Sequence, residues 1–372
     1  MSDSDTDTDL KLPPPKKRPV NALVLGGGAP NFTLMTGALL AFEEMGFQFD
    51  VITGAGGGGA VALNYVAPKG LDRVDSLRNS VNLGVSDQIY KYIPMNYKVF
   101  QKGGKLADGY RALLSKLPGY SKVMNQYTMN SRQKLISDLI QAWWALTTPT
   151  VITPWTKGLC AHTPFIDAMV DFDKLKTVKE DVYISSYCVT NHQMVSFTKE
   201  EMNAEHFGAS LSFPFIYPPT EMDGKFYLEG ATEQAFNFDG VIQHMKKTGR
   251  TVDNIVVFNS FGNENYLQVP PNLWQAWGQS LITALIPLDR ANLEVFRLKL
   301  RRWNEENKDK AIRELSLDFP IPVDWAPTAL DWSRSNLERL FHLGYVEGLA
   351  FLHRHADLLG YEIPMKHEAQ SA

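Results

Sequence analysis

Val51-Ile52-Thr53-Gly54-Ala55-Gly56-Gly57-Gly58-Gly59-Ala60 reads as a strand, a very sharp turn and the start of a helix. β-Branched residues favour extended backbone, and glycines supply turn conformations that a Cβ would forbid. The same layout underlies the G-x-S-x-G elbow, in which a nucleophilic serine stands at the tip of a strained strand-to-helix turn. Here Gly54 and Gly58 take the flanking places, and Gly56, at the nucleophile's place, has no side chain. Taken alone, the segment also fits a glycine-rich turn with no catalytic role.

Outward from this turn the pattern repeats. Asn21–Leu25 reads as a strand, followed by a glycine loop, a helix from Phe32 to Met45 and a strand Phe49–Thr53. Helix Gly59–Val66 ends at Pro68-Lys69-Gly70. Strand, helix and strand at this spacing form a βαβ unit, which predicts a right-handed crossover in a parallel α/β sheet. Residues 70–180 read as a helical insertion over that sheet. Strand signals return at Val182–Thr190, Gln193–Thr198, Phe226–Leu228 and Asn254–Asn259, the last two as buried strands. From residue 273 to 372 the chain reads as a helical C-terminal extension, with an exposed charged stretch from Arg297 to Glu314.

Composition bounds the partners. A 372-residue chain with 44% hydrophobic and 21% charged residues is an ordinary globular protein, and a net charge of −4 argues against nucleic acid as a ligand. Cys160 and Cys188 make no disulfide framework, and the eight histidines show no metal-ligand spacing, so no metal or cofactor is expected. Residues 1–19 alternate Ser/Thr with Asp and then run through prolines and Lys16-Lys17-Arg18, the composition of a disordered leader without a signal-peptide apolar stretch. A reducing cytoplasm is the expected compartment.

Charge is uneven along the chain. Between Lys69 and Lys134 there are twelve Lys/Arg against four Asp. Leu139–Thr156 then carries no charge and three tryptophans, Trp143, Trp144 and Trp155. A second uncharged run, Asn265–Leu288, holds Trp274 and Trp277 on one helical face with Leu281 and Leu285. Prolines interrupt both runs, so neither is a membrane span. Tryptophan beside basic residues suits a membrane interface, with Trp143, Trp144, Trp274 and Trp277 as contacts to an anionic surface. The competing reading makes these residues core, packed under the insertion.

Three segments carry the chemistry. Leu25-Gly26-Gly27-Gly28-Ala29-Pro30-Asn31 closes the first strand, and its glycine N–H groups can face a phosphate or an oxyanion. The glycine turn at Gly56 is the second. The third is Met222-Asp223-Gly224-Lys225-Phe226-Tyr227-Leu228-Glu229-Gly230-Ala231, preceded by Ala209–Pro219. In order and spacing, across Asn21–Val66 and Val182–Phe261, these resemble the patatin-like phospholipases, which join a G-G-G-x-[RK]-G oxyanion loop, a G-x-S-x-G elbow and a late D-G-[GA].

The resemblance implies a three-layer α/β/α sandwich with a mainly parallel central sheet, and a lipid acyl hydrolase. It places the oxyanion loop on Gly26, Gly27, Gly28 and Ala29, the elbow glycines on Gly54 and Gly58, the serine on Gly56 and the aspartate on Glu229. The loop's basic residue falls on Pro30 and its next glycine on Asn31. With the serine–aspartate pair not intact, the resemblance implies a scaffold that binds an acyl lipid or phospholipid with lost or altered hydrolysis. Thr53, Ser210, Ser212 and Cys188 are the remaining nucleophile candidates, each better explained as fold-supporting. Two other functions fit parts of the sequence: a protein-interaction scaffold that uses the tryptophan runs for a protein partner, and a nucleotide-binding α/β protein that uses the Gly26–Gly28 loop. The latter lacks the third glycine and an acidic residue at the end of the second strand.

Overall fold

The computed structural model describes residues 18–28, 30–162, 168–261, 266–270 and 272–363. An eight-stranded sheet runs β10-β9-β1-β2-β5-β8-β7, with β6 paired to β5 off that path. Its strands are β1 (Asn21–Leu25), β2 (Val51–Ala55), β5 (Asp181–Cys188), β6 (Gln193–Thr198), β7 (Thr220–Met222), β8 (Lys225–Glu229), β9 (Asn254–Asn259) and β10 (Arg313–Asp318). β10, β9, β1, β2 and β5 are mutually parallel, while β6, β7 and β8 add antiparallel pairings. Two further strands, β3 (Gln101–Lys102) and β4 (Cys160–Ala161), pair by themselves inside the insertion.

Helices cover both faces, which is what near-continuous apolar parallel strands require. Leu23, Leu25, Ile52 and Ile184 face one core with α1 (Phe32–Glu44), α2 (Gly57–Val66), α6 (Ala204–Ser210) and α10 (Arg334–Leu359). Ala22, Val24, Val51 and Tyr183 face the other with α7 (Phe238–Thr248) and α9 (Leu285–Glu306). This is the expected three-layer sandwich. Each fully buried Leu, Ile or Phe in these cores contributes roughly 1.5–3 kcal/mol.

α1 is buried on nearly every side because it lies between the sheet and α10. Glycines set that approach. A Cβ on Gly348 would fall 2.8 Å from Cα of Ala38, and Gly37 and Gly344 rest on the backbone of Phe341 and Leu34. The expected helical C-terminal extension is therefore corrected in two ways. α10 is half of a core layer, and β10 is the parallel edge strand of the main sheet. The charged residues that mark Arg297–Glu314 as exposed are partly satisfied there: Arg297 pairs with Glu314 at 3.0 Å and donates to Ser316 Oγ at 3.1 Å.

Three more expectations are amended. Phe226–Leu228 is half-buried apart from Tyr227, because β8 sits near the sheet's antiparallel edge. The insertion carries α3 (Arg73–Asn79), α4 (Lys105–Leu114) and α5 (Ser131–Thr147), but also the β3–β4 pair. Residues 1–17 of the expected leader lie outside the described residues. Arg18, its next residue, is already held against Asp50 at 3.7 Å.

Candidate functional site

One strand assembles the site. β5 pairs with β2 up to the Ala55–Ser185 couple and with β8 from the Glu229–Ser186 couple onward. β2 runs parallel to β5 and β8 antiparallel, so the C-terminal ends of both meet at consecutive positions of the same edge. That register sets Gly56, one residue past β2, against the side chain of Glu229 at the end of β8.

Gly56 adopts φ 52° and ψ −123°, backbone that costs a residue with a Cβ on the order of 1–3 kcal/mol. A Cβ built there would lie 2.8 Å from Cδ of Glu229 and 3.1 Å from Cβ of Ala231, and would overlap Glu229 Oε1. The Glu229 carboxyl therefore fills the volume that a side chain at position 56 needs. The neighbouring glycines serve close packing. A Cβ on Gly54 would meet Cα of Gly59 at 2.7 Å, and one on Gly57 would meet the Gly28 carbonyl oxygen at 2.7 Å. Gly58 rests on the carbonyls of Leu25 and Gly26, so the elbow sits directly on the Gly26–Gly28 loop.

That loop is only partly open to a ligand. The Gly27 N–H donates to the Ala235 carbonyl at 3.1 Å, and Ser260 Oγ donates to the Gly27 carbonyl at 3.0 Å. The expectation that consecutive glycine amides are all unspent is thus corrected at Gly27. Gly28, at φ 137°, turns the chain into the cavity. Ala29 lies outside the described residues. Pro30 lines the cavity, and Asn31 is buried, donating to Tyr266 Oη at 2.9 Å. α2 starts at Gly57 without a side-chain cap, so its first-turn amides present the positive end of the helix at the elbow.

Burial pushes the Glu229 carboxyl up to about 8, so it is mostly protonated at neutral pH. Among the described residues no donor is bonded to its side-chain oxygens. Its backbone N–H donates to the Ser212 carbonyl at 3.1 Å. Ser212 Oγ in turn contacts the Gly208 carbonyl and Thr220 Oγ1, both at 2.9 Å, and His162 Nε2 at 3.2 Å. Burial pulls the His162 ring down to about 4, so it stays neutral, stacked on Tyr217 at 4.0 Å.

The other nucleophile candidates are equally internal. Ser210 Oγ donates to the Phe207 carbonyl at 2.8 Å, Thr53 Oγ1 to the Leu23 carbonyl at 3.4 Å, and Cys188 is buried. Cys160, which the sequence did not single out, lines the cavity, with burial raising its thiol to about 11.

A cavity of about 870 Å³ begins at Gly28, Gly57 and Glu229 and runs beneath the insertion. Its walls are chiefly apolar, with Val61, Val99, Phe100, Phe213, Ile216, Phe261 and Trp332 among them. A second space of about 130 Å³, lined by Leu114 and Trp144, shares Met95, Lys98, Phe100 and Tyr120 with it. This volume is that of a small-molecule site, and polar side chains such as Asn64, Ser76, Asn82 and Gln126 line it beside the apolar ones.

The predicted surface residues separate. Trp143 is 64% exposed, whereas Trp144 stacks on Tyr120 at 5.4 Å and faces the cavity side. Trp144 is thereby corrected as a membrane contact. Trp274 and Trp277 lie on α8 (Leu273–Thr283), but their side chains fall outside the described residues. α5 is inverted relative to an ordinary amphipathic helix. It buries Ser137, Asp138 and Gln141 and exposes Ile136, Leu139, Trp143 and Leu146.

Beside α5, Leu106 and Leu113 of α4 and the loop residues Val151, Ile152 and Trp155 are exposed too. Lys98, counted in the basic stretch, is not a surface charge: it is ion-paired with buried Asp138 at 2.7 Å. Among the described residues there is no cluster that could hold a metal ion and no helix long and apolar enough to cross a membrane.

A family model described as patatin-like phospholipase matches residues 23–242. No curated protein matches the chain in sequence. Among solved structures, VipD from Legionella pneumophila aligns over 95% of this chain and 73% of its own, at 12% identity and a TM-score of 0.39. Human GIVD cytosolic phospholipase A2, in complex with methyl gamma-linolenyl fluorophosphonate, aligns over 92% and 60%, at 12% identity and a TM-score of 0.42. ExoU, in its heterodimeric complex with SpcU from the type III secretion system of Pseudomonas aeruginosa, aligns over 92% and 52%, at 16% identity and a TM-score of 0.30. The chain thus spans between about half and three-quarters of the length of these structures.

Proposed function

The chain belongs to the patatin-like phospholipase family, and from that membership we propose that it holds acyl lipids without hydrolysing them through a serine–aspartate pair. One observation carries the reading: the carboxyl of Glu229 stands in the space a nucleophile's Cβ would need at Gly56, at the head of an apolar cavity of about 870 Å³. Without a hydroxyl at the elbow no acyl-enzyme can form there. The apolar walls remain able to bury a hydrocarbon chain, which gains roughly 0.8 kcal/mol per methylene. Solvent extraction of the purified protein followed by mass spectrometry tests this directly. A stoichiometric acyl lipid is the expected result, and a lipid-free protein that takes up no added lipid would overturn it.

Membrane contact is the second half of the reading, and the inverted α5 favours it. A solvent-facing row of Ile136, Leu139, Trp143 and Leu146 has no reason to stand in water. Lys105, Lys116, Lys122 and Arg132 are exposed in the same insertion, supplying attraction to anionic headgroups. The same surface offered to a protein partner is the alternative outcome, and vesicle binding separates the two.

A further inference from the structure

α9 carries apolar residues on two opposite faces. Ile286, Leu293 and Phe296 are buried in the two cores, with Leu300 partly buried beside them. At about 100° of rotation per residue, the other side of the helix holds Leu288, Ala291, Val295 and Leu298. Val295 is 49% and Leu298 58% exposed, Ala291 is exposed and Leu288 is half-buried. One apolar stripe is enough to dock a surface helix, and most of the second stripe faces solvent.

That second stripe has the spacing of a two-stranded coiled coil. Leu288, Ala291, Val295 and Leu298 lie three, four and three residues apart, the alternation of a and d positions, and Arg302 follows four residues on. The order puts β-branched Val295 at a and Leu298 at d, the choice that favours two parallel strands. Charges flank the seam. Glu294 and Arg301 fall at g, Lys299 and Glu306 at e, and all four are exposed. In a parallel pair a g residue faces the next e residue of the other helix. Glu294 of one copy then meets Lys299 of the other, and Arg301 meets Glu306. Within one copy Glu294 holds Arg297 at 2.9 Å and Glu306 holds Arg302 at 3.1 Å, exposed pairs that contribute little and leave both acids open to a second cation.

We propose that the outer face of α9 is an interface between two copies of this chain, their α9 helices packed parallel through a short coiled-coil seam from Leu288 to Arg302. The partner is a second copy because the seam complements itself in charge: each flanking acid meets a base of the same helix in the other copy. α9 is already held by the core, so association orders no new backbone, which offsets the shortness of the seam. A contact about 21 Å long and one helix wide lies at the low end of interface sizes, so monomer and dimer exchange with concentration. The interface is independent of what the cavity holds.

Sedimentation velocity of the full chain over a concentration series tests this. The wild type should pass from 41.8 kDa toward twice that mass as concentration rises. Val295→Glu sets two carboxylates in one covered layer and should stay monomeric. Glu294→Lys alone and Lys299→Glu alone each oppose like charges across the seam and should weaken association about tenfold. An equimolar mixture of those two variants should recover it, since the new lysine then faces the new glutamate and the remaining Glu294 faces the remaining Lys299. All three positions are exposed, so the variants should keep the wild-type Tm.

A wild type that stays monomeric up to about 100 μM overturns the inference. Dimerisation of Val295→Glu at wild-type strength overturns it as well and places the contact elsewhere. A mixture no better than its two components does the same for the parallel seam. A monomeric wild type whose binding to anionic vesicles falls in Val295→Glu overturns the inference and gives the stripe to lipid.

Discussion

The carboxyl of Glu229 and the bare Cα of Gly56 are fitted to each other: Cδ of Glu229 lies 2.8 Å from where a Cβ on Gly56 would be. Either residue changed alone creates a fault, an overlap in one direction and a void in the other. The pair therefore behaves as a unit, and single substitutions at the two positions should be strongly non-additive.

Gly56→Ser alone is expected to give a less stable protein that a fluorophosphonate probe does not label. The serine meets both positive-φ strain and the Glu229 carboxyl. Gly56→Ser with Glu229→Asp shortens the carboxylate by one methylene, clears that volume and supplies a general base. Labelling of the double variant above the single one is the expected outcome. Full activity from Gly56→Ser alone would show that Glu229 moves aside at little cost.

Wild-type protein should show negligible turnover of short activated esters and no fluorophosphonate adduct. Specific labelling abolished by substitution at one serine or cysteine would sink the non-hydrolytic reading and identify the nucleophile.

Glu229 should also shape stability against pH. Its folded pKa, about 8, is raised above the value of an unfolded glutamate. Between those two values the folded state binds more protons, so stability falls as pH rises through that window and levels off above it. Glu229→Gln should flatten this decline, with a difference on the order of a few °C in Tm between pH 5 and pH 9. Parallel Tm curves for the two proteins would show that the carboxyl is better solvated than its surroundings indicate.

Vesicle binding should depend on Trp143 and not on its neighbour. Trp143→Ala is expected to weaken binding to anionic vesicles at low and high salt alike. Trp144→Ala should chiefly lower thermal stability, because it removes a stacked ring beside Tyr120. Neutralising Lys105, Lys116 and Lys122 should reduce binding mainly at low ionic strength. No vesicle binding by the wild type at low salt would assign the exposed row on α5 to a protein partner.

Asp138→Asn should cost about 3–5 kcal/mol in urea unfolding, since it leaves Lys98 and Arg334 buried without their counter-charge. A loss below about 1 kcal/mol, the range of an exposed pair, would mean that water reaches the cluster.

Local chemistry made the framework readable. Gln193–Thr198 and Asn254–Asn259 have the strand bounds that their own alternation and apolar runs predict. The glycine turn at Gly56 and the hairpin ending at Glu229 were legible because each carries its turn residues within a few positions. What stayed hidden depends on partners far along the chain. β10 reads as polar because Glu314 and Ser316 are satisfied by Arg297 of α9, not by a hydrophobic layer. Lys98 looks like a surface lysine until Asp138 and Arg334 are brought to it. Trp143 and Trp144 are adjacent in sequence, yet about 100° of helical rotation sends one outward and the other to the cavity wall.

The sharing of one β5 edge by β2 and β8 has an engineering consequence. The distance between Gly56 and Glu229 is set by backbone pairing at two consecutive positions of β5, Ser185 and Ser186, and the stretch from α3 to β4 takes no part in that pairing. Everything from α3 to β4 is therefore roof over a fixed floor. Such a roof can be lengthened, trimmed or exchanged for one that admits a different guest, while the two facing residues keep their places to within the tolerance of a β-ladder.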